Sequence, residues 1–138
     1  MLTPELDVAD VDRSLAFYVG VIGFSVVFDR PEERVVFLSL EGVDLMLEDA
    51  AGPGRRFRTA PLERPYGRGV SFMIEVADVD RVHGRVQAAG YRIVVPLEDR
   101  WYRRDALEYG RRQFVVADPD GYLLRFTTSL GQRLVPGG

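Results

Sequence analysis

The chain has 138 residues, enough for one compact domain or for two half-size modules that share a core. Its 18 basic and 21 acidic residues give a net charge of −3, which disfavours nucleic acid as a partner because nucleic-acid-binding surfaces are usually basic. The lack of cysteine excludes disulfides, thiolate metal sites and a cysteine nucleophile. The sequence shows no secretory signal and no apolar run near the ~20 residues that span a bilayer, so a cytoplasmic protein without membrane contact is expected.

One hexapeptide, VADVDR, occurs twice, at residues 8–13 and 76–81, an offset of 68 residues. Each copy leads through helically spaced apolar residues to a glycine followed by an aromatic residue, Gly23-Phe24 and Gly90-Tyr91, and then to a β-branched run. A match of this length and order indicates a repeated structural unit.

The first copy predicts a strand, a helix and three further strands over residues 1–50. Asp10 is predicted to cap the N-terminus of the helix, and Gly23 is predicted to end it. The strand candidates FSVVFD, RVVFLSL and VDLMLED follow, separated by the turn-forming segments RPEE and EG.

The second copy predicts the same order over residues 70–128. Asp78 is the N-cap, Gly90 is the stop, and DPDG is a reverse turn between the last two strands. Residues 51–69 are predicted as a linker whose RRFR segment is solvated, and residues 129–138 as a flexible tail. The segment PLEDRWYRRDALEYG is longer than a hairpin connection needs and is predicted as a functional loop.

The predicted fold class is therefore α+β, with two βαβββ modules forming curved mixed sheets around a ligand groove. A single module is too small to bury both faces of its sheet. The second module that it needs comes from the same chain or from a partner chain, and the sequence leaves both pairings open.

Four stretches resemble the vicinal oxygen chelate superfamily, which includes glyoxalase I, extradiol dioxygenases and bleomycin resistance proteins. They are LDVADVDRSLAFYVGVIGF, VDLMLED, VADVDR with AAGY, and VVADPDGYLLRF. Metal-dependent members place His or Glu ligands on the first and last strand of each module. The matching positions here are Thr3, Met46, Ser71 and Arg125, which do not suit a divalent cation, so the resemblance implies neither a bound metal nor a cofactor.

Within this superfamily, the chain resembles most the bleomycin resistance proteins, which sequester an antibiotic unchanged. Tyr109 matches a position where some of them carry a drug-stacking Trp. The resemblance implies a metal-free homodimer that binds a small molecule, such as a glycopeptide-type antibiotic of the bleomycin kind. The expected ligand-binding residues are Phe37, Met46, Glu48, Ser71, Met73, Trp101, Tyr102, Tyr109, Phe114 and Arg125.

Two other functions stay open at this point. One is a lyase, isomerase or dioxygenase whose metal site has shifted, and the other is a structural or regulatory dimer with a vestigial cavity. The arginines of residues 100–112 leave the charge of the ligand open as well, because a cationic drug would favour acidic walls.

Overall fold

The structure is a computed structural model that describes residues 1–136, and these form two compact units. Unit 1 contains residues 1–68 together with the turn 118–122, and unit 2 contains residues 69–117 and, of the described chain, residues 123–136. Each unit carries one four-stranded mixed sheet. This architecture confirms the prediction of an α+β fold with two βαβββ modules.

Unit 1 begins with β1 (Glu5–Val8) and α1 (Val11–Phe17), which continues as a π-helical turn (Tyr18–Ile22). The other strands are β2 (Ser25–Arg30), β3 (Val35–Leu40) and β4 (Val43–Asp49). The strand order is β1-β4-β3-β2, with β1 parallel to β4 and the other pairs antiparallel. The parallel pair follows from the helical crossover between β1 and the rest of the sheet.

Both ends of this first helix are as predicted. The Asp10 carboxylate accepts hydrogen bonds from the backbone N–H of Asp12 at 3.0 Å and of Arg13 at 3.3 Å. Gly23 ends the helix with a φ of 106°, a left-handed conformation that glycine adopts without steric cost. Leu6, Val8, Leu45 and Leu47 are buried together with the apolar side chains of the helix, and this packing forms the core of unit 1.

Unit 2 contains β5 (Ser71–Glu75), α2 (Val79–Ala89), β6 (Ile93–Arg104), β7 (Leu107–Ala117) and β8 (Leu123–Leu134). Its strand order, β5-β8-β7-β6, repeats that of unit 1. The core lies between α2 and one face of the sheet. Its buried residues include Ile74, Val79, Val82, Val86, Phe114, Val116, Leu124 and Phe126.

The predicted functional loop is instead a long β-hairpin. Strands β6 and β7 stay paired as far as Arg104 and Leu107, so the insert of residues 96–110 continues the sheet. Its aromatic residues favour extended structure and cross-strand contacts.

The predicted tail also differs from the structure. Strand β8 runs six residues past residue 128, to Leu134, and its end pairs with β7 through Leu107 and Leu134. The added length of β7 supplies the hydrogen-bonding edge on which this end of β8 pairs. Residues 137–138 of the predicted tail lie outside the described residues.

The DPDG turn connects β7 to β8 and packs within unit 1. One oxygen of the Asp118 carboxylate accepts hydrogen bonds from the backbone N–H groups of Asp120, Gly121 and Tyr122, each at 2.9 Å. Its other oxygen accepts a hydrogen bond from the hydroxyl of Tyr18 at 2.7 Å. Burial raises the pKa of Tyr18 well above its usual range, so this hydroxyl keeps its proton and acts as the donor.

Candidate ligand-binding face

The sheet of unit 2 has one face covered by α2 and one face without a helix, which we call the open face. Side chains alternate between the two faces along a strand, and residues paired across strands share a face. Ile74 and Phe126 lie in the core with α2, so their neighbours Met73, Glu75, Arg125 and Thr127 belong to the open face.

Four cross-strand partners form a row over this face, which we call the polar row. It consists of Glu75 on β5, Thr127 on β8, Gln113 on β7 and Glu98 on β6. The two central residues are buried, with Gln113 5% exposed and Thr127 0% exposed. Two uncharged polar groups thus lie buried between two carboxylates, and burial of such groups is unfavourable unless they find hydrogen-bond partners.

The amide nitrogen of Gln113 has two partners. It donates to Glu98 Oε1 at 3.2 Å and to the hydroxyl oxygen of Tyr102 at 2.6 Å. The carboxylate of Glu98 can only accept, so this contact defines which end of the amide is the nitrogen. The amide oxygen of Gln113 therefore points away from Glu98.

Three buried polar atoms on the open face, two in the polar row and one on the adjacent Arg111, have no hydrogen-bond partner among residues 1–136. They are Gln113 Oε1, Thr127 Oγ1 and Arg111 Nη1, which we call the unsatisfied atoms. Arg111 Nη1 approaches Glu75 Oε1 at 3.9 Å, which is an ion-pair contact beyond hydrogen-bond distance. The cluster therefore holds an acceptor, a hydroxyl and a cationic donor whose hydrogen-bonding capacity is unused.

Five of the expected ligand-binding residues lie on the open face: Ser71, Met73, Tyr102, Tyr109 and Arg125. Tyr102 and Tyr109 are cross-strand partners, 38% and 36% exposed. Met73 is 51% exposed, and its sulfur lies 2.8 Å from Arg125 Nη2. The face thus combines two accessible rings, an apolar thioether and a guanidinium.

Two other expected residues, Phe114 and Trp101, lie on the opposite face of the sheet. Phe114 is a fully buried core residue that stacks on Phe126 at a centroid distance of 5.7 Å. Trp101 packs over Gly110, and the guanidinium of Arg133 lies 3.9 Å from its ring centroid. Both side chains point away from the open face, because each alternates with a residue on that face.

The arginines of the hairpin divide between the two faces. Arg112 lies on the α2 side, where it forms ion pairs with Asp99 at 2.8 Å and with Asp80 at 3.2 Å. The hydrogen bonds to these two carboxylates raise the pKa of Arg112. Arg111 and its cross-strand partner Arg100 share the open face. The positive charge on the open face is thus smaller than the arginine count of the hairpin indicates.

The remaining expected residues, Phe37, Met46 and Glu48, belong to unit 1. Phe37 stacks on Phe28 at 4.1 Å, and Met46, its cross-strand partner, is only 3% exposed. Glu48 forms an ion pair with Arg56 at 3.8 Å. Burial raises the pKa of Glu48 more than the nearby Arg56 lowers it. These three residues therefore lie apart from the open face in sequence and in sheet, and their ligand binding stays a prediction.

The RRFR segment is exposed as predicted at Arg55, Phe57 and Arg58, whereas Arg56 is half-buried. Arg56 Nη2 donates to the backbone carbonyl of Glu33 at 3.0 Å and to that of Asp49 at 3.1 Å. Arg58 binds both carboxylate oxygens of Asp7, each at 3.2 Å. These arginines tie the linker to the sheet of unit 1, and nothing in their spacing along the chain indicates such distant partners.

The residues at the family's metal positions do not fit a divalent cation. Thr3, Met46, Ser71 and Arg125 offer no carboxylate and no imidazole, and the fixed charge of Arg125 opposes a cation. Within residues 1–136, no group of three or more His, Cys, Asp or Glu side chains is placed to hold a metal ion. None of the helices in the same range is long and apolar enough to cross a membrane.

Comparison with known proteins assigns the family. Residues 4–126 match the sequence model of the Glyoxalase/Bleomycin resistance protein/Dioxygenase superfamily. The chain belongs to this superfamily. A bleomycin resistance protein of Geobacillus stearothermophilus is 30% identical to this superfamily member over 132 residues, which cover 89% of this chain and 92% of that protein. A bleomycin resistance protein of Staphylococcus aureus shows the same identity and coverage.

Solved structures also resemble this chain. TioX from Micromonospora sp. ML1 superimposes with a TM-score of 0.74 at 29% identity, covering 94% of this chain and 98% of that chain. A protein of unknown function from Agrobacterium tumefaciens superimposes with a TM-score of 0.68 at 27% identity, covering 94% of each chain. Both similarities extend over nearly the whole fold.

Proposed function

We propose that this protein is a cytoplasmic homodimer that binds an antibiotic with a planar aromatic part, of which bleomycin is the first candidate, and holds it without chemical change. The observation that carries the proposal is Arg125, which occupies a metal-ligand position of the superfamily and contacts Met73 on the open face. A guanidinium has no lone pair to offer a metal, whereas it can bind and stack on a ligand. The 30% identity to named bleomycin resistance proteins supports the same conclusion.

The open face supplies the surfaces that such binding needs. The exposed rings of Tyr102 and Tyr109 lie side by side across β6 and β7 and can stack on a planar group. The carboxylates of Glu75 and Glu98 form the two ends of the polar row and can face cationic substituents of the ligand. The face thus suits a large ligand that is planar in one part and charged in another.

The homodimer is the part of this proposal that solution measurements test first. A curved sheet with exposed Met73, Tyr102 and Tyr109 leaves apolar surface in water, and a second copy of the chain can cover it. Sedimentation equilibrium at tens of micromolar should therefore give about twice the chain mass of 15.6 kDa. A mass near that of the single chain would contradict the dimer.

Ligand binding is tested by thermal unfolding with bleomycin. Free ligand at about 100 times its dissociation constant adds about 2.7 kcal/mol to the free energy of unfolding, which raises the unfolding temperature by several degrees. An aminoglycoside, which is cationic but has no aromatic ring, is the matched control and should leave the unfolding temperature unchanged. An equal shift with both compounds would show that the protein responds to positive charge alone.

A further inference from the structure

We propose that the polar row recognises a carboxamide group of the ligand. The N–H of this group donates to Gln113 Oε1, and its carbonyl accepts from the hydroxyl of Thr127 and from Arg111 Nη1. The inference deepens the proposed function, because it rests on the open face being the ligand-binding face. It does not require the ligand to be bleomycin.

The unsatisfied atoms provide the first evidence for a carboxamide. Gln113 Oε1, Thr127 Oγ1 and Arg111 Nη1 are buried, and no atom of the described chain forms a hydrogen bond with them. Gln113 and Thr127 are direct cross-strand partners, so their two side chains meet on one face. Unused donors and acceptors grouped in this way are costly for the free protein, and a ligand that pairs with them recovers that cost.

The direction of each unsatisfied group defines the chemistry of its partner. Gln113 presents its oxygen because Glu98 and Tyr102 already hold its nitrogen, so its partner must be a donor. Arg111 can only donate, so its partner must be an acceptor. Thr127 can donate to that same acceptor. A planar amide offers a donor and an acceptor side by side, as this arrangement requires.

The charges around the row disfavour the closest alternatives to an amide. A carboxylate would be repelled by the carboxylates of Glu75 and Glu98. It also has no N–H to donate to Gln113 Oε1. An ammonium group has no acceptor for the hydrogen bonds that Thr127 and Arg111 can donate, and at this position it would lie beside the fixed charge of Arg111. A neutral carboxamide avoids both repulsions. The tyrosine pair on the same face favours a carboxamide carried by an aromatic ring.

Arg111 and Tyr102 lie beside the unsatisfied atoms, and both side chains are partly exposed. Arg111 touches Glu75 only through the 3.9 Å ion pair, and its side chain is 28% exposed. Tyr102 holds Gln113 through its hydroxyl, and its ring is partly exposed. Rotation of partly exposed side chains is fast and needs no change of the backbone.

The test uses 2-naphthamide and 2-naphthoate as probes, with NMR titration of the full-length protein. The wild type should bind the amide at least about tenfold more tightly than the acid. Thr127→Val, which keeps the shape and removes the hydroxyl, should weaken amide binding by about five- to tenfold. Thr127→Ser, which keeps the hydroxyl, should stay within about twofold of the wild type. Equal binding of the two probes, or of the amide to wild type and Thr127→Val, would overturn the inference.

The unfolding temperature without ligand gives a second readout. Removal of a buried hydroxyl that lacks a partner should stabilise the free protein, so Thr127→Val should unfold about 3 °C higher than the wild type. A lower unfolding temperature, or failure of the variant to fold, would show that the hydroxyl is satisfied within the protein and would also overturn the inference.

Bleomycin separates this inference from the proposed function. Equal binding of bleomycin to wild type and Thr127→Val would leave antibiotic sequestration standing and overturn the amide site. Selective binding of 2-naphthamide, without any binding of bleomycin, would support the amide site and remove bleomycin as the ligand.

Discussion

Replacement of Asp118 with alanine is expected to lower the free energy of unfolding by about 4 kcal/mol. This buried carboxylate accepts three backbone N–H groups at 2.9 Å and the hydroxyl of Tyr18 at 2.7 Å. Its removal leaves these donors without a partner inside the protein, and each unsatisfied buried donor costs about 1–3 kcal/mol, although such costs are not additive. Urea denaturation monitored by circular dichroism measures the change.

Tyr18→Phe is the matched control, because it removes only the hydroxyl bond to Asp118 and keeps the packing of the ring. It should lower the free energy of unfolding by about 1–2 kcal/mol, clearly less than Asp118→Ala. A loss below about 1 kcal/mol for Asp118→Ala would contradict the structural role assigned to the DPDG turn.

Gly67→Ala is expected to destabilise the protein by about 3 kcal/mol or more. Gly67 has a φ of +73°, and a Cβ added there would lie 2.3 Å from Cδ1 of Tyr122. The Tyr122 ring cannot give way easily, because its hydroxyl donates to the backbone carbonyl of Asp7 at 2.8 Å. The variant therefore combines a strained backbone with a steric clash.

Gly69→Ala separates these two causes. Gly69 has a similar φ of +85°, but a Cβ added there would meet no atom within 4 Å among the described residues beyond its own chain neighbours. This variant should lose only the backbone contribution of about 1–2 kcal/mol. Chemical denaturation of both variants under the same conditions gives the comparison. Equal losses would show that the contact with Tyr122 contributes nothing.

The repeat and its local signals were sufficient to predict the architecture. Asp10 and Asp78 cap their helices through side-chain bonds to N–H groups of the first turn, and Gly23 and Gly90 end them with positive φ. These features depend on neighbours within a few residues, so a single sequence contains them. The parallel pairing of β1 with β4 follows from the helical crossover of each repeat.

The face that each hairpin residue occupies could not be predicted in the same way. Alternation along β6 would separate Trp101 from Tyr102, but register shifts interrupt the pairing of this strand with β7 between Ile93 and Val95 and again between Val95 and Glu98. Each irregularity can change which face of the sheet the following residues occupy, so alternation along the sequence does not predict the face. The linker arginines were missed for another reason, since Arg58 meets Asp7 across 51 residues of chain.

The candidate site was predicted only in part. Ser71, Tyr102, Tyr109 and Arg125 of the open face were proposed because aromatic rings and the matched metal positions are visible in the sequence, and their ligand binding stays a prediction. Gln113 and Thr127 were missed, since an isolated Gln or Thr in a strand is an ordinary residue. Only the cross-strand register brings the two together and reveals their unused hydrogen-bonding atoms.

If the proposed function is right, the protein binds an antibiotic and leaves it unchanged. Calorimetric titration of the wild type with bleomycin, followed by mass spectrometry of the ligand released on denaturation, tests both parts together. We predict saturable binding at micromolar concentration or tighter, and recovery of bleomycin at its original mass. No heat of binding up to millimolar ligand, or recovery of a chemically altered ligand, would contradict the claim.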